Sequence, residues 1–178
     1  MSYVERLEVL LGAPPRTHAS AEHWSVLERE LGLVLPGDFK EFTDGYGPCS
    51  LAEYLDVLHP AGEIFNLGEF TREWIEFSQE APNEDIPYAV GTAPGNVLPV
   101  SRTEHGDIIY FILTGPDPDA WSVGVAARNE DPQWIEFPMP FTEWLEKLLK
   151  GGAGMGFLPE DWPPDHLDYE PESAFSAE

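Results

Sequence analysis

The chain has 178 residues and carries 33 aspartates and glutamates against nine lysines and arginines, so its formal net charge is −24. This charge argues against binding to DNA, RNA or an anionic membrane surface, because all three attract Lys and Arg side chains. No apolar run approaches the roughly 20 residues that span a bilayer. Hydrophobic residues make up 42 % of the chain, which is enough to form the core of one globular domain.

The first residues and the cysteine count predict a cytoplasmic protein. Residues 1–6 lack the basic flank, the apolar stretch and the cleavage site of a secretory signal. Cys49 is the single cysteine, so neither an intramolecular disulfide nor a cysteine-based zinc site can form. Both observations fit a reducing compartment.

Three short helices are predicted at the start of the chain. Apolar residues at helical spacing predict the first over residues 3–11. The second begins after Ser20, whose hydroxyl is suited to capping the first free amides, and ends near Gly32. The third covers residues 36–42, because Pro36 favours a first helical turn and glycines follow the segment.

The middle of the chain is predicted to hold one extended segment and a longer helix. Residues 51–58 are typical of an extended segment, and a turn follows them. Residues 66–79 form the helix, in which Phe70, Trp74 and Phe77 share one apolar face while glutamates point outward.

From residue 87 onward the hydrophobic period changes towards two, which is typical of strands. Turn residues divide this region into five short predicted strands, namely residues 88–91, 97–101, 107–113, 121–127 and 133–137. A final helix is predicted over residues 141–150. Strands so close in sequence pair antiparallel, because parallel neighbours need long crossovers. The predicted fold is α+β, with a mainly antiparallel sheet of about five to six short strands packed against N-terminal, central and C-terminal helices.

The composition changes after the last predicted helix. Residues 1–152 are therefore interpreted as a single globular domain, and residues 153–178 as an acidic, proline-rich tail. Within 158–178 there are seven acids and four prolines but no lysine or arginine. Such a tail is either solvated and partly disordered, or packed against the domain through Phe157 and Trp162.

Several motifs occur in a recognisable order along residues 20–151. The first runs from Trp24 to Phe42, with the sequence WSVLERELGLVLPGDFKEF. The later ones are GTAPGN at 91–96, HGDIIYF at 105–111, PDPDAW at 116–121 and FTEWL at 141–145. This order resembles the SUKH superfamily, which includes a fungal cell-wall-assembly regulator and many bacterial immunity proteins.

The resemblance implies an α+β domain without enzymatic activity. It also implies a protein partner. Many bacterial members resemble antidotes that bind and neutralise a toxin, whereas others resemble scaffolds or regulators. The fold by itself does not choose between these functions.

The sequence offers little support for catalysis or metal binding. His105 and Asp107 are the best local pair, but a zinc or acid–base role would need a further partner, and a polar hairpin turn is the favoured explanation. Cys49 follows a predicted helix end, where the helix dipole disfavours a thiolate. We therefore predict no catalytic, cofactor-binding or metal-binding residues.

The acidic surface itself indicates a basic partner, because opposite charge speeds encounter. A cationic toxin, such as a nuclease, is one such partner. The candidate contact residues fall in predicted inter-strand turns or beside them: Glu104, Asp107, Asp117, Asp119, Trp121, Glu130 and Asp131. Two alternatives stay open, namely that these acids only solvate the surface and that Trp121 belongs to the core. A second function class is an intracellular regulatory module whose binding segment is the tail.

Overall fold

The structure, a computed structural model, describes residues 1–152 and 154–175. These residues form five α-helices, namely α1 (Tyr3–Leu11), α2 (Ala21–Leu31), α3 (Gly37–Tyr46), α4 (Leu67–Glu80) and α5 (Phe141–Leu149). They also form seven strands, namely β1 (Cys49–Leu51), β2 (Leu55–Val57), β3 (Val97–Thr103), β4 (Ile108–Ile112), β5 (Ser122–Ala126), β6 (Trp134–Phe137) and β7 (Tyr169–Pro171). The α+β prediction is confirmed, with slightly more strands than expected.

Local side-chain contacts explain where two of the helices begin. Ser2 and Glu5 form a capping box at α1, since each side chain accepts a hydrogen bond from the other's backbone amide. Asn66 caps α4 by accepting a hydrogen bond from the Glu69 amide at 2.9 Å. The expected cap at α2 is wrong, because the Ser20 side chain makes no capping hydrogen bond.

The seven strands form one antiparallel sheet in the order β6-β5-β4-β3-β2-β1-β7. Strands β1 to β6 therefore follow one another as a meander. The last strand, β7, instead crosses to the far edge and pairs with β1. No local pattern in residues 154–175 indicates this strand.

Two predicted segments differ from the structure. Residues 51–58 form a hairpin instead of one extended segment, because Ala52 and Glu53 adopt positive φ angles of 55° and 50° that reverse the chain. Residues 88–91 form no strand and make a single bridge between Val90 and Val97. Beyond that bridge, strand β2, and not residues 88–91, pairs with β3 along this edge.

The sheet separates two unequal layers of helices. On one face, α3 and α5 pack an aromatic core in which Phe39 contacts Phe111 and Phe141 with ring centroids 5.2 and 5.0 Å apart. On the other face, α4 packs on β3, and Thr71 donates a hydrogen bond to the Pro99 carbonyl at 2.8 Å. On this face of β4 and β5, Ile108, Tyr110 and Ala126 are buried, and Trp74 and Trp134 contact Tyr110.

Residues 154–175 lie against the rest of the chain. Phe157 is buried beside Phe137, and the Trp162 indole donates a hydrogen bond to the Leu148 carbonyl at 2.7 Å. The Glu172 carboxylate accepts hydrogen bonds from the amides of Ile64 and Phe65. Residues 153 and 176–178 of the predicted tail lie outside the described residues.

Candidate functional site

Two of the seven candidate contact residues are buried. Asp107 is only 2 % exposed, and its carboxylate accepts hydrogen bonds from the Tyr54 hydroxyl, the Thr103 hydroxyl and the Arg128 amide. Trp121 is 6 % exposed and donates its indole N–H to the Gly115 carbonyl at 2.8 Å. Both side chains support the fold of their turns and are not presented to a partner.

The other five candidates are distributed over two opposite ends of the sheet. Glu104 lies in the β3–β4 turn, and Glu130 and Asp131 lie in the β5–β6 turn, at the same end of the meander. Asp117 and Asp119 belong to the β4–β5 connection at the other end. The structure therefore brings together Glu104, Glu130 and Asp131, and it separates them from the aspartate pair.

The aspartate pair also has local structural contacts. Asp117 accepts a hydrogen bond from the Asp119 amide at 3.0 Å and so caps a short 3₁₀-helix. Asp119 accepts a hydrogen bond from the Gly37 amide, at the start of α3, at 2.8 Å.

At the opposite end of the sheet, partial desolvation and the nearby Asp56 carboxylate raise the pKa of Glu104.

A groove of about 1200 Å³ lies between α4 and residues 81–90, over strands β4 and β5. Its floor includes Ile108, Tyr110 and Ala126, which occupy neighbouring positions on β4 and β5. Sequence reasoning missed this groove, because it exists only through the placement of α4 across β3. We call it the α4 groove.

Three aromatic residues of α4 form one wall of the α4 groove. Phe70, Trp74 and Phe77 follow one another along the helix, with ring centroids 6.2 and 5.1 Å apart. The Trp74 indole donates a hydrogen bond to the Tyr110 hydroxyl at 2.9 Å. Exposure rises from 8 % at Phe70 to 52 % at Phe77, so the last ring stands at the mouth of the groove.

Residues 81–90 form the opposite wall of the groove. Hydrogen bonds to Gln133 and to strand β6 hold this wall in place. The Asn83 amide donates a hydrogen bond to Gln133, and the Asp85 carboxylate accepts one from the Gln133 backbone, both at 2.9 Å. The Tyr88 hydroxyl donates to Glu136 at 2.7 Å. The walls of the groove are thus fixed by tertiary hydrogen bonds on both sides.

Four glutamates of α4 form a stripe beside the groove, and we call them the acidic ridge: Glu69, Glu73, Glu76 and Glu80. Their spacing of four, three and four residues places them on one side of the helix. All four are exposed, and none pairs with a lysine or arginine in the part of the chain that the structure describes. Glu84, which follows the helix, also lines the groove.

Two arginines line the end of the α4 groove nearest the β3–β4 turn. Arg102 donates a hydrogen bond to Asp56 at 2.8 Å, and its guanidinium lies over the rings of Phe65 and Phe70. Arg128 is exposed and lies against Gly106. The groove therefore has an acidic side and a short basic end.

A separate cluster surrounds His59, which is fully buried. Its Nδ1 accepts a hydrogen bond from the Ala61 amide at 2.9 Å, so the proton of the neutral ring lies on Nε2. Nε2 donates to Asp44 at 2.8 Å, and the same carboxylate oxygen accepts the Trp24 indole N–H at 2.9 Å. Burial lowers the pKa of His59 although Asp44 opposes the shift, and the rings of His18 and His23 lie 6.1 Å away.

The described residues show no arrangement typical of catalysis. Burial raises the pKa of the Cys49 thiol far above neutral pH, which makes it unreactive. No group of three or more His, Cys, Asp or Glu side chains within these residues could hold a metal ion. No helix in them is long and apolar enough to cross a membrane.

Comparison with known proteins identifies the family. Residues 18–147 match the family model described as SMI1 / KNR4 family (SUKH-1). The chain belongs to this family. The SUKH resemblance expected from the motifs is thereby confirmed. No curated protein and no solved structure matches the chain.

The SUKH-1 match covers most of the helices and six of the seven strands. It extends from the segment before α2 almost to the end of α5, and so includes the α4 groove and the acidic ridge. Residues 154–175, with β7, lie beyond the match. SUKH-1 proteins are generally non-enzymatic, and the family suggests interaction with other proteins.

Proposed function

We propose that this SUKH-1 protein is a non-enzymatic, cytoplasmic binding protein that neutralises a basic protein toxin by direct contact. The observation that carries the proposal is the net charge of −24. Most of the carboxylates are exposed, and the acidic ridge has no basic partner within the described residues. The resemblance to bacterial immunity proteins points to the same function.

The charge favours a cationic partner for a simple physical reason. A negative field of this size accelerates encounter with a positive surface, and the effect reaches about 8–10 Å at physiological salt. A nuclease toxin needs a positive surface to hold its nucleic acid. Carboxylates that cover this surface would block the substrate and neutralise the enzyme.

The five candidates outside the core remain proposed contact residues and are divided between two surfaces; four are exposed and Glu130 is half-buried. Glu104, Glu130 and Asp131 belong to the first surface, at the end of the sheet that also holds Arg128. Asp117 and Asp119 belong to the second. The groove lies beside the first surface, because its lining includes Gly106 and Gln133.

A capture experiment followed by an activity assay tests the proposal. The tagged full chain is incubated with lysate of its own host, and bound proteins are eluted with rising salt. We expect a basic protein whose toxic activity falls to zero at one equivalent of the purified chain. A basic protein that keeps its activity when saturated contradicts the proposal, and so does capture of host proteins without toxic activity, which indicates a regulatory module.

A further inference from the structure

We propose that the α4 groove is the docking site for a cationic segment of the partner protein. The segment places one large apolar side chain against Trp74 and Phe77 and aligns its lysines and arginines along the acidic ridge. This inference rests on the proposed function for the charge of the partner. It adds the place where the partner binds and the kind of segment that fits.

The shape and lining of the groove fit an apolar anchor. The groove is concave, and its walls and floor include Trp74, Phe77, Ile86 and Tyr110. Phe77 is 52 % exposed beside this concave surface, although it belongs to the apolar face of its helix. Binding energy at protein interfaces concentrates where large side chains fill such pockets.

The charge next to the groove selects the kind of segment. Glutamates three and four residues apart on one helix repel each other. No lysine or arginine within the described residues pairs with the acidic ridge, so this repulsion is not compensated there. Arg72 of the same helix pairs instead with Glu30 of α2. Lysine or arginine side chains laid along the ridge relieve the repulsion. An acidic segment, or a second copy of this chain, would increase it.

Hydrogen bonds hold both walls of the groove in the free chain. The Trp74–Tyr110 hydrogen bond fixes the aromatic wall, and the contacts of Asn83, Asp85 and Tyr88 fix the opposite wall. A preformed groove loses little conformational entropy on binding, which favours affinity.

Synthetic peptides test the groove directly on the full chain. The probe is a fluorophore-labelled hexapeptide of alternating lysine and leucine, and its affinity is measured by fluorescence anisotropy at low salt. An alternating lysine–serine peptide keeps the charge without the anchor. An alternating glutamate–leucine peptide keeps the anchor with the wrong charge. We expect the lysine–leucine peptide to bind about tenfold tighter than either.

Two variants of the groove and two matched controls locate the binding. E73Q/E76Q/E80Q removes three charges of the ridge, and E41Q/E53Q/E160Q removes three exposed charges elsewhere. Phe77→Ala removes the exposed ring, and Val9→Ala shortens an exposed apolar side chain of α1. We expect a loss of about tenfold for the ridge variant and about fivefold for Phe77→Ala, with much smaller changes for the controls.

Three results would overturn the docking site. The first is equal binding of the lysine–leucine and lysine–serine peptides, and the second is an equal loss in the ridge and control variants. The third is a dimer of the free chain that Phe77→Ala dissociates, which would assign the groove to a second copy. These results differ from failure of the proposed function, which is measured with the captured protein and its toxic activity.

Discussion

At the level of single residues, Asp44 joins two buried rings. One carboxylate oxygen accepts hydrogen bonds from both Trp24 and His59, which ties α2 and the turn before α4 to the end of α3. The sequence did not indicate this cluster, because Trp24 and His59 are 20 and 15 residues from Asp44 and share no motif with it. Only the fold brings them together.

Protonation of His59 should destabilise the protein at mildly acidic pH. Its pKa is lower in the folded state than in the unfolded chain, where it is about 6.5, so the folded state binds the proton less readily. Stability is therefore fully present above about pH 6.5 and falls as the pH drops below it, by at most about 1.4 kcal/mol per pH unit for this one group.

Urea unfolding of the wild type and of His59→Gln between about pH 7 and 5 checks this expectation. The wild type should lose more free energy of unfolding over this range than the variant does. His166→Gln, which alters an exposed histidine, should behave as the wild type does. Parallel pH dependence of the wild type and His59→Gln would contradict the role of this ring.

We expect Asp107 to stabilise the fold instead of contacting a partner, because its side chain is buried. Asp107→Ala leaves the Tyr54 hydroxyl, the Thr103 hydroxyl and the Arg128 amide without their acceptor. We expect a loss of about 2–4 kcal/mol in the free energy of unfolding. Glu130→Ala in the neighbouring turn should change stability by less than about 0.5 kcal/mol in the same measurement. Equal stabilities of the two variants would contradict this assignment.

At the level of elements, helix periodicity and strand alternation were informative because they are local. The helices over residues 3–11 and 66–79 were predicted nearly to their ends, as were four of the predicted strands. Strand β7 was not predicted, since three residues that include Pro171 give no local strand signal. Its partner β1 lies more than 100 residues earlier in the chain.

Removal of residues 158–178 should destabilise the domain. The deletion removes β7, the hydrogen bond from Trp162 to the Leu148 carbonyl and the two hydrogen bonds to Glu172. It also exposes the edge of β1, which favours association between copies. We expect a lower melting temperature and a larger apparent size in gel filtration.

A gentler variant separates folding from binding in this segment. Glu172→Ala removes only the acceptor for the amides of Ile64 and Phe65, and we expect it to cost about 1–3 kcal/mol. Glu160→Ala, in the same segment but exposed, serves as the control. A truncated chain with the same melting temperature and apparent size as the full chain would contradict a structural role for residues 158–175.

At the level of the whole molecule, the α+β class and the antiparallel sheet could be predicted from composition, periodicity and motif order. The α4 groove could not, because it depends on the position of one helix across one strand. The apolar face of α4 was visible in the sequence as Phe70, Trp74 and Phe77. Only the fold shows that this face extends past β3 and leaves Phe77 partly uncovered.

Salt dependence of partner binding is the sharpest test of neutralisation by the acidic surface. The dissociation constant of the captured basic protein is measured for the full chain at about 0.05 M and about 0.3 M salt, together with its residual toxic activity. We expect affinity to fall by about tenfold or more as salt rises, and the bound toxin to be inactive. An affinity that is indifferent to salt, or a bound partner that stays active, would contradict this expectation.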